Sequence, residues 1–184
     1  MTSVAHPFKC IVAAFGLAVG FSLPLAAETL DEMFEALAVA GPEEAQRIED
    51  RIVTAWSKSG SASMDLLLQR GSDALDAGEY QAAVEHFTAA IDHSPDFAEA
   101  YHGRATAYYL LDYYGPALDD LRQALVLEPR HFGALRGFAI ILEQLGREEE
   151  ALEVYERIMD IHPNLEQVRP SMERLQEKLR GQTL

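Results

Sequence analysis

The sequence predicts an all-α protein: a solenoid of three helical hairpins, with a helical pair before them and one capping helix after them. The first observation is that Pro95, Pro129 and Pro163 recur at intervals of 34 residues. The second is that apolar residues between these prolines recur every three or four positions, which is the period of an amphipathic helix. Because one helical hairpin cannot cover its own apolar face, consecutive hairpins are expected to stack.

The composition is that of an acidic globular protein. Of the 184 residues, 48% are hydrophobic, which excludes a chain that is disordered throughout. The 30 acidic and 15 basic residues give a formal net charge of −15, and such a surface repels nucleic acids and anionic membranes. The single cysteine excludes an internal disulfide framework and a cysteine-based zinc site. A nucleic-acid partner is therefore not expected.

Residues 1–27 have the pattern of a secretory signal peptide. Lys9 is followed by an uncharged stretch at 10–27, and Glu28 then restores charge. A short basic region, an apolar stretch and small residues before the first acids are typical of such a signal, so the mature chain is expected in the periplasm. The alternative is an uncleaved anchor that holds the protein at the inner membrane, facing the periplasm. This alternative arises because 18 uncharged residues approach the shortest length that spans a bilayer.

Residues 28–63 are predicted to form a helical pair followed by a polar linker. The segment Thr29-Leu-Asp-Glu32 is a capping box, and it starts the first of the two helices. We interpret the pair as a degenerate hairpin that caps the N-terminal end of the solenoid, with Trp56 packed on Leu66 or Leu67. The alternative is an element that binds a partner.

Residues 64–165 divide without insertion into three units of equal length: 64–97, 98–131 and 132–165. Small residues mark the place where the two helices of the middle unit cross, since Ala105 and Ala117 permit a close approach. One shared position marks the turn inside each unit: Gly78, Asp112 and Gly146. The proline ends the second helix of each unit, because it lacks an N–H and disfavours helical geometry in the residue before it.

A short motif starts at each turn position: Gly-Glu-Tyr-Gln-Ala-Ala at 78–83, Asp-Tyr-Tyr-Gly-Pro-Ala at 112–117 and Gly-Arg-Glu-Glu-Glu-Ala at 146–151. An aromatic residue or leucine, and then a proline, follow each motif. These motifs resemble the tetratricopeptide repeat (TPR) family, and the resemblance extends over 64–165. It implies a right-handed solenoid whose first helices line a concave groove for a protein partner. The segment at 55–68 resembles the lead-in of exported bacterial TPR proteins.

Residues 166–184 are predicted to form the capping helix at the C-terminal end. Met172, Leu175 and Leu179 form one apolar stripe, and charged residues lie opposite. A polar outer face is what a solenoid needs on its last helix. Pro170 suits the first turn of this helix, where the N–H groups have no helical partner.

The resemblance implies that a set of positions on the first helix of each unit faces the groove and forms a partner-binding site. The predicted site residues are Leu68, Ser72, His102, Thr106, Tyr109, Arg136, Ile140 and Glu143. Such a mixture of apolar and polar side chains suits an amphipathic helix or an extended peptide, with Tyr109 as the candidate anchor. The alternative for Tyr109 is packing between units. The Lys and Asn with which chaperone-binding TPR proteins clamp a C-terminal carboxylate are missing, so that ligand is not expected.

The sequence contains no catalytic constellation, and neither a cofactor nor a metal is expected. His86 and His93 are seven residues apart on one predicted helix, which separates them by about 10 Å and disfavours a shared metal ion. Asp119 and Asp120 are expected near a helix start, on the solvated outer face. Arg104 either ties helices together or braces a ligand.

The predicted function is that of a non-catalytic adaptor or assembly factor in the bacterial cell envelope, with a protein or peptide partner. No membrane contact is expected beyond an N-terminal anchor. One alternative is a structural oligomer formed by self-association. A further alternative is a small enzyme or metal carrier that uses His102 and the acids around it.

Overall fold

The computed structural model describes residues 28–182, and that part of the chain is built from nine α-helices without a strand. The helices are α1 (Leu30–Val39), α2 (Pro42–Trp56), α3 (Ala62–Asp76), α4 (Tyr80–His93), α5 (Ala98–Leu110), α6 (Tyr114–Leu127), α7 (Phe132–Gln144), α8 (Glu148–Ile161) and α9 (Arg169–Gln182). The predicted all-helical fold is confirmed. The signal segment predicted at 1–27 lies outside the described residues. None of the described helices is long and apolar enough to cross a membrane.

Helices α3 to α8 form three hairpins, α3–α4, α5–α6 and α7–α8, with the same backbone geometry at each turn. The backbone angle φ at the shared turn position is positive, with values of 75° at Gly78, 62° at Asp112 and 72° at Gly146. Glycine adopts this conformation without steric cost, whereas aspartate carries a Cβ atom that makes it unfavourable. The 34-residue period predicted from the prolines is therefore present in the backbone itself.

The hairpins pack closely because small residues occupy their crossing points. Ala105 and Ala117 are buried, as the sequence predicts. Phe87 of α4 lies directly against the backbones of α3 and α5. A Cβ atom placed on Gly71 or Gly103 would lie 2.5 or 2.6 Å from the Phe87 ring. One aromatic side chain therefore fills the space that two glycines leave open, as close packing requires.

The N-terminal pair, α1 and α2, packs on the third hairpin rather than on the first. Its buried apolar residues form one core with residues of α7, α8 and α9. The residues that the pair contributes to this core are Met33, Phe34, Leu37, Ala45, Ile48, Ile52 and Trp56. The interpretation that the pair caps the N-terminal end of the solenoid is therefore wrong.

Trp56 of α2 packs at the start of the third hairpin. Its ring is stacked on His131, with ring centroids 4.1 Å apart, and it contacts Phe132 at 4.9 Å. Leu66 is 51% exposed, and Leu67 packs against a separate core formed by α3, α4 and α5. The predicted packing of Trp56 on Leu66 or Leu67 is wrong, because the aromatic surface that buries the indole lies at the start of α7.

Polar contacts hold the N-terminal pair against the connections that precede α7 and α9. The Arg130 guanidinium bonds to Asp31 at 2.7 Å and lies over the Phe34 ring, 4.2 Å from its centroid. The Asn164 side-chain amide donates to the carbonyl oxygen of Ala40 at 2.8 Å, across 124 residues of sequence. These contacts join the beginning of the described chain to its last third.

Helix α9 packs on the far side of the same core. Leu175 is buried there, and Met172 packs against its border. Arg174 forms an ion pair with Glu143 of α7 at 2.5 Å. The helix thus turns its apolar stripe inward, as the sequence pattern predicts.

Candidate partner-binding groove

A groove runs between α5 and α7, which are the first helices of the second and third hairpins. It contains a cavity of about 230 Å³. Five of the predicted site residues line this cavity: His102, Thr106, Tyr109, Arg136 and Ile140. Three buried apolar residues form its floor: Ala105, Leu121 and Ile141. The structure therefore brings together most of the site that the resemblance implies.

The repeat register explains why these residues meet. Residues that are 34 apart in sequence occupy the same place on α5 and on α7, as His102 and Arg136 do, and likewise Thr106 and Ile140. Stacked hairpins consequently present matched rows of side chains across the groove. Gly137 lets Leu121 pack closely under α7, since a Cβ atom on Gly137 would lie 3.3 Å from Leu121 Cδ2.

The other three predicted site residues do not line this cavity. Leu68 is buried in the core of the first hairpin, and the Ser72 hydroxyl donates to its carbonyl oxygen at 3.1 Å. The Glu143 carboxylate accepts hydrogen bonds from Tyr155 at 2.8 Å and from Arg174 at 2.5 Å. Glu143 therefore connects α7 to α8 and α9. The residues that line the cavity belong to the second and third hairpins.

Tyr109 both packs between units and lines the cavity. Its half-buried ring lies 5.8 Å from that of Tyr114 and borders the core between the second and third hairpins. Leu110, the next residue, is 42% exposed and lines the same cavity. An aromatic ring held in place beside an exposed leucine is a suitable surface for an apolar side chain of a partner.

A second cavity, of about 170 Å³, lies where α2 meets α5 and α7. It adjoins the first, because His102 and Arg136 line both cavities. Trp56 and Glu99 also line it, and the Arg136 guanidinium donates to Gln167 at 2.9 Å. The N-terminal pair therefore forms one edge of the groove.

Glu99, His102 and His131 form a connected cluster in this second cavity. Glu99 Oε2 lies 2.9 Å from His131 Nε2, and Glu99 Oε1 lies 3.3 Å from His102 Nδ1. His131 Nδ1 accepts a hydrogen bond from the N–H of Ala134 at 3.1 Å and so caps α7. Because Nδ1 is an acceptor, the ring proton of the neutral imidazole is on Nε2 and is donated to Glu99.

Burial and neighbouring charges determine the protonation states in this cluster. Burial lowers the pKa of His131, although Glu99 acts in the opposite direction. Burial alone raises the pKa of Glu99, but His102 and His131 outweigh it and hold the pKa well below its usual range. At neutral pH the cluster therefore contains an ionised carboxylate beside an uncharged His131.

Sequence reasoning missed His131, although the repeat register contains the necessary signal. One repeat before His131 is Phe97, which directly precedes α5. His131 holds the same position before α7 that Phe97 holds before α5. Because equivalent positions of stacked units lie next to each other, His131 lies near the start of α5, where Glu99 and His102 are. His131 is part of no short ligand motif, so a search for local spacings passes over it.

The structure places Asp120 in the interior, where it pairs with Arg104. Asp120 is buried, and both of its oxygens accept hydrogen bonds from Arg104, at 2.7 and 2.8 Å. Arg104 also donates to Thr88 at 3.1 Å. The expected solvated position of Asp120 is wrong, because this pairing draws the carboxylate inward. Of the two roles open to Arg104, the structure shows the first: it ties α5 to α6 and α4.

The three stacked hairpins and the groove between their first helices define a helical-repeat protein. Two family models match the chain: one described as TPR repeat, over residues 71–112, and one described as tetratricopeptide repeat, over residues 114–166. A TPR repeat-containing protein of Rhizobium etli is 36% identical over 155 residues, which cover 84% of this chain and 76% of that relative. The chain belongs to the tetratricopeptide repeat family.

Two further comparisons show similarity over part of the chain. The small glutamine-rich tetratricopeptide repeat-containing protein 2 of Saccharomyces cerevisiae is 29% identical over 119 residues, covering 65% of this chain and 34% of that relative. The first TPR domain of Spaghetti (RPAP3), solved bound to an HSP90 peptide, superposes with a TM-score of 0.61 at 24% identity. The match covers 63% of this chain and 92% of that domain, and it concerns the fold.

Proposed function

We propose that this protein is a non-catalytic interaction module of the bacterial cell envelope that holds a peptide or helix of a partner protein in the groove between α5 and α7. The observation that carries the proposal is the cavity of about 230 Å³ in that groove. Tyr109, Leu110 and Ile140 give it apolar walls over an apolar floor, while Arg136 and His102 provide polar groups at its edge.

The chemistry of the groove describes the partner segment. An apolar side chain of the partner fits against Tyr109 and Leu110, since burial of such a side chain supplies most of the binding free energy in a small site. Arg136 is exposed at the rim and is placed to donate a hydrogen bond to a backbone carbonyl of the bound segment. The HSP90 peptide bound to the RPAP3 domain supports the proposal, because that domain has the same fold.

The envelope location is supported by the sequence pattern of residues 1–27, which is that of an export signal. With this location, the chain is an exported bacterial TPR protein. A Rhizobium etli relative is consistent with a bacterial source. The location is tested by fractionation of cells that express the full chain, followed by N-terminal sequencing. We expect a periplasmic form that begins at Glu28; an intact Met1 in the membrane fraction supports the uncleaved anchor instead.

Site-specific photo-crosslinking tests the groove. The photoreactive residue p-benzoylphenylalanine replaces Tyr109 in the full chain, and crosslinking is carried out in intact bacterial cells. The matched control carries the same replacement at Tyr113, an aromatic position that is 53% exposed and does not line the cavity. We expect the probe at Tyr109 to crosslink one protein that the probe at Tyr113 does not. Adding Arg136→Ala to the chain that carries the Tyr109 probe should reduce that crosslink.

The possible results separate the hypotheses. Equal crosslinks from both positions contradict the groove as the binding site. A crosslinked band at twice the mass of the chain, containing only its own peptides, supports the self-associating oligomer. Size-exclusion chromatography with light scattering then determines whether the oligomer exists without crosslinking.

A further inference from the structure

Three side chains with metal-ligating groups converge in the cavity between α2, α5 and α7. One ligand atom from each of Glu99, His102 and His131 lies within 4.8 Å of the other two. The two carboxylate–imidazole distances, each to a different oxygen of Glu99, are 2.9 Å for His131 and 3.3 Å for His102. In a tetrahedral zinc site with bonds of about 2.0–2.1 Å, ligand atoms lie about 3.3 Å apart. The cluster therefore places three ligand groups close enough to meet at one ion, once its ligand atoms draw together from separations of up to 4.8 Å.

We propose that Glu99, His102 and His131 bind a divalent transition-metal ion, with zinc as the reference ion. Two imidazoles and one carboxylate are a donor set that suits zinc and its neighbours in the first transition row. Magnesium and calcium prefer a shell made only of oxygen atoms. Three protein ligands leave a fourth position, which faces the cavity of about 170 Å³ and has room for water.

The surroundings leave space for this ion. Gly133 lies between the two imidazoles: a Cβ atom on it would be 3.1 Å from His102 Cε1 and 3.4 Å from His131 Cε1. Without a side chain at this position, both rings have room for the movement that coordination requires. Trp56, stacked on His131, supports that ring from the other side.

Metal binding changes which nitrogen of His131 carries the ring proton. Coordination of the neutral imidazole through His131 Nε2 requires the ring proton to move from this atom to Nδ1. Nδ1 then no longer accepts the hydrogen bond from the N–H of Ala134, which caps α7 in the structure. Glu99 exchanges two hydrogen bonds for a metal–oxygen bond. Metal binding and this cap are therefore mutually exclusive.

Two spectroscopic probes follow the binding reaction directly. Trp56 is the single tryptophan of the chain, so intrinsic fluorescence reports on its contact with His131. The amide resonance of Ala134 in an NMR spectrum reports on the cap. The full chain, freed of metal with a chelator that is then removed, is titrated with Zn²⁺. We expect one ion to bind per chain, a change in Trp56 fluorescence and a shift of the Ala134 amide. Mg²⁺ should cause neither change.

Three variants test the ligand assignment. His102→Ala removes a ligand without touching the cap, and His131→Asn removes a ligand while keeping a side chain that can cap α7. Each should weaken Zn²⁺ binding more than about a hundredfold, because loss of outer-shell partners alone already costs about 10–100-fold. His93→Ala, at an exposed position on α4, is the matched control and should leave the affinity unchanged.

Two results would overturn the proposal. The first is equal Zn²⁺ affinity of wild type and His102→Ala, which places any bound ion elsewhere. The second is the absence of saturable binding by wild type under conditions in which its circular dichroism shows a folded protein. Neither result depends on the partner, so the metal site and the groove are tested separately.

Discussion

The first and third hairpins share the 34-residue pattern, but their surroundings differ. Helices α3 and α4 pack on each other and on α5, and Leu66 on α3 remains 51% exposed. Helices α7 and α8 are covered in addition by α1, α2 and α9, in one core that includes Trp56, Phe132 and Leu165. The repeat pattern thus defines each hairpin but does not determine which hairpin receives the extra helices.

This difference changes how stability is distributed along the chain. In a simple repeat array each unit contacts only its neighbours, and stability is approximately a sum over units and interfaces. Here the hydrogen bond from Asn164 to Ala40 joins residues 124 positions apart. The C-terminal half therefore resembles a globular core, whereas the first hairpin keeps the character of a repeat array.

The largest expected effect comes from removing the indole that links α2 to α7. Trp56→Ala should reduce the free energy of unfolding by about 3–5 kcal/mol, because it empties a buried aromatic site. Urea unfolding followed by far-UV circular dichroism measures the change. Leu66→Ala, at the exposed position of the first hairpin, should change stability by less than about 0.5 kcal/mol. Similar losses in the two variants would remove the contrast between the two ends.

A steric clash with the Phe87 ring should destabilise the first hairpin selectively. Gly71→Ala places a Cβ atom 2.5 Å from the Phe87 ring, so we expect a loss of about 1–3 kcal/mol from overpacking. Hydrogen exchange should show the loss of protection mainly in α3 and α4. Gly115→Ala is the control, since no atom lies within 4 Å of its added Cβ. An equal loss of protection in α7 and α8 would mean that the two ends unfold as one unit.

The hydrogen bond from Asn164 shows how much a polar contact contributes to holding the N-terminal pair on the third hairpin. Asn164→Ala should cost about 0.5–1.5 kcal/mol, because it leaves the carbonyl oxygen of Ala40 without this donor. Chemical denaturation measures the effect. Gln69→Ala removes a bond of similar kind within α3, to Asp73, and should be nearly neutral because both groups are exposed. A neutral Asn164→Ala would indicate that the N-terminal pair is held by its apolar contacts alone.

The smallest expected effect lies at the turn of the middle hairpin. Asp112→Gly should raise stability by about 0.5 kcal/mol, because glycine adopts the positive φ of 62° without strain. Thermal unfolding should show a slightly higher Tm. The reverse change at the equivalent position, Gly146→Asp, should lower the Tm by a similar amount. The Tyr114 hydroxyl donates a hydrogen bond to the Asp112 carboxylate at 3.1 Å. A drop in Tm for Asp112→Gly would show that this hydrogen bond matters more than the backbone strain.

The parts of the fold that could be predicted are those that repeat locally. The spacing of Pro95, Pro129 and Pro163 placed the hairpins, because each proline ends a helix by its own covalent structure. The same register placed His102 and Arg136 opposite each other across the groove. These inferences need only the period and elementary helix geometry.

The parts that could not be predicted depend on partners far away in sequence. Nothing local to Trp56 indicates that its ring stacks on His131 rather than on α3. Asp120 occupies a position that is usually solvated, and only Arg104 on the preceding helix draws it inward. Glu143 has a groove-facing register, but Tyr155 and Arg174 engage it from the other side. Such pairings follow from tertiary packing, which a periodic pattern does not encode.

The docking of α1 and α2 on the third hairpin also determines an order of events during synthesis. The apolar face that carries Phe34, Ile52 and Trp56 is made first, while Leu165 and the rest of its binding surface follow about a hundred residues later. At about 5–20 residues per second, this face waits about 5–20 s for its cover. During that interval it is an exposed apolar surface on an incomplete chain, which makes the nascent protein prone to aggregation.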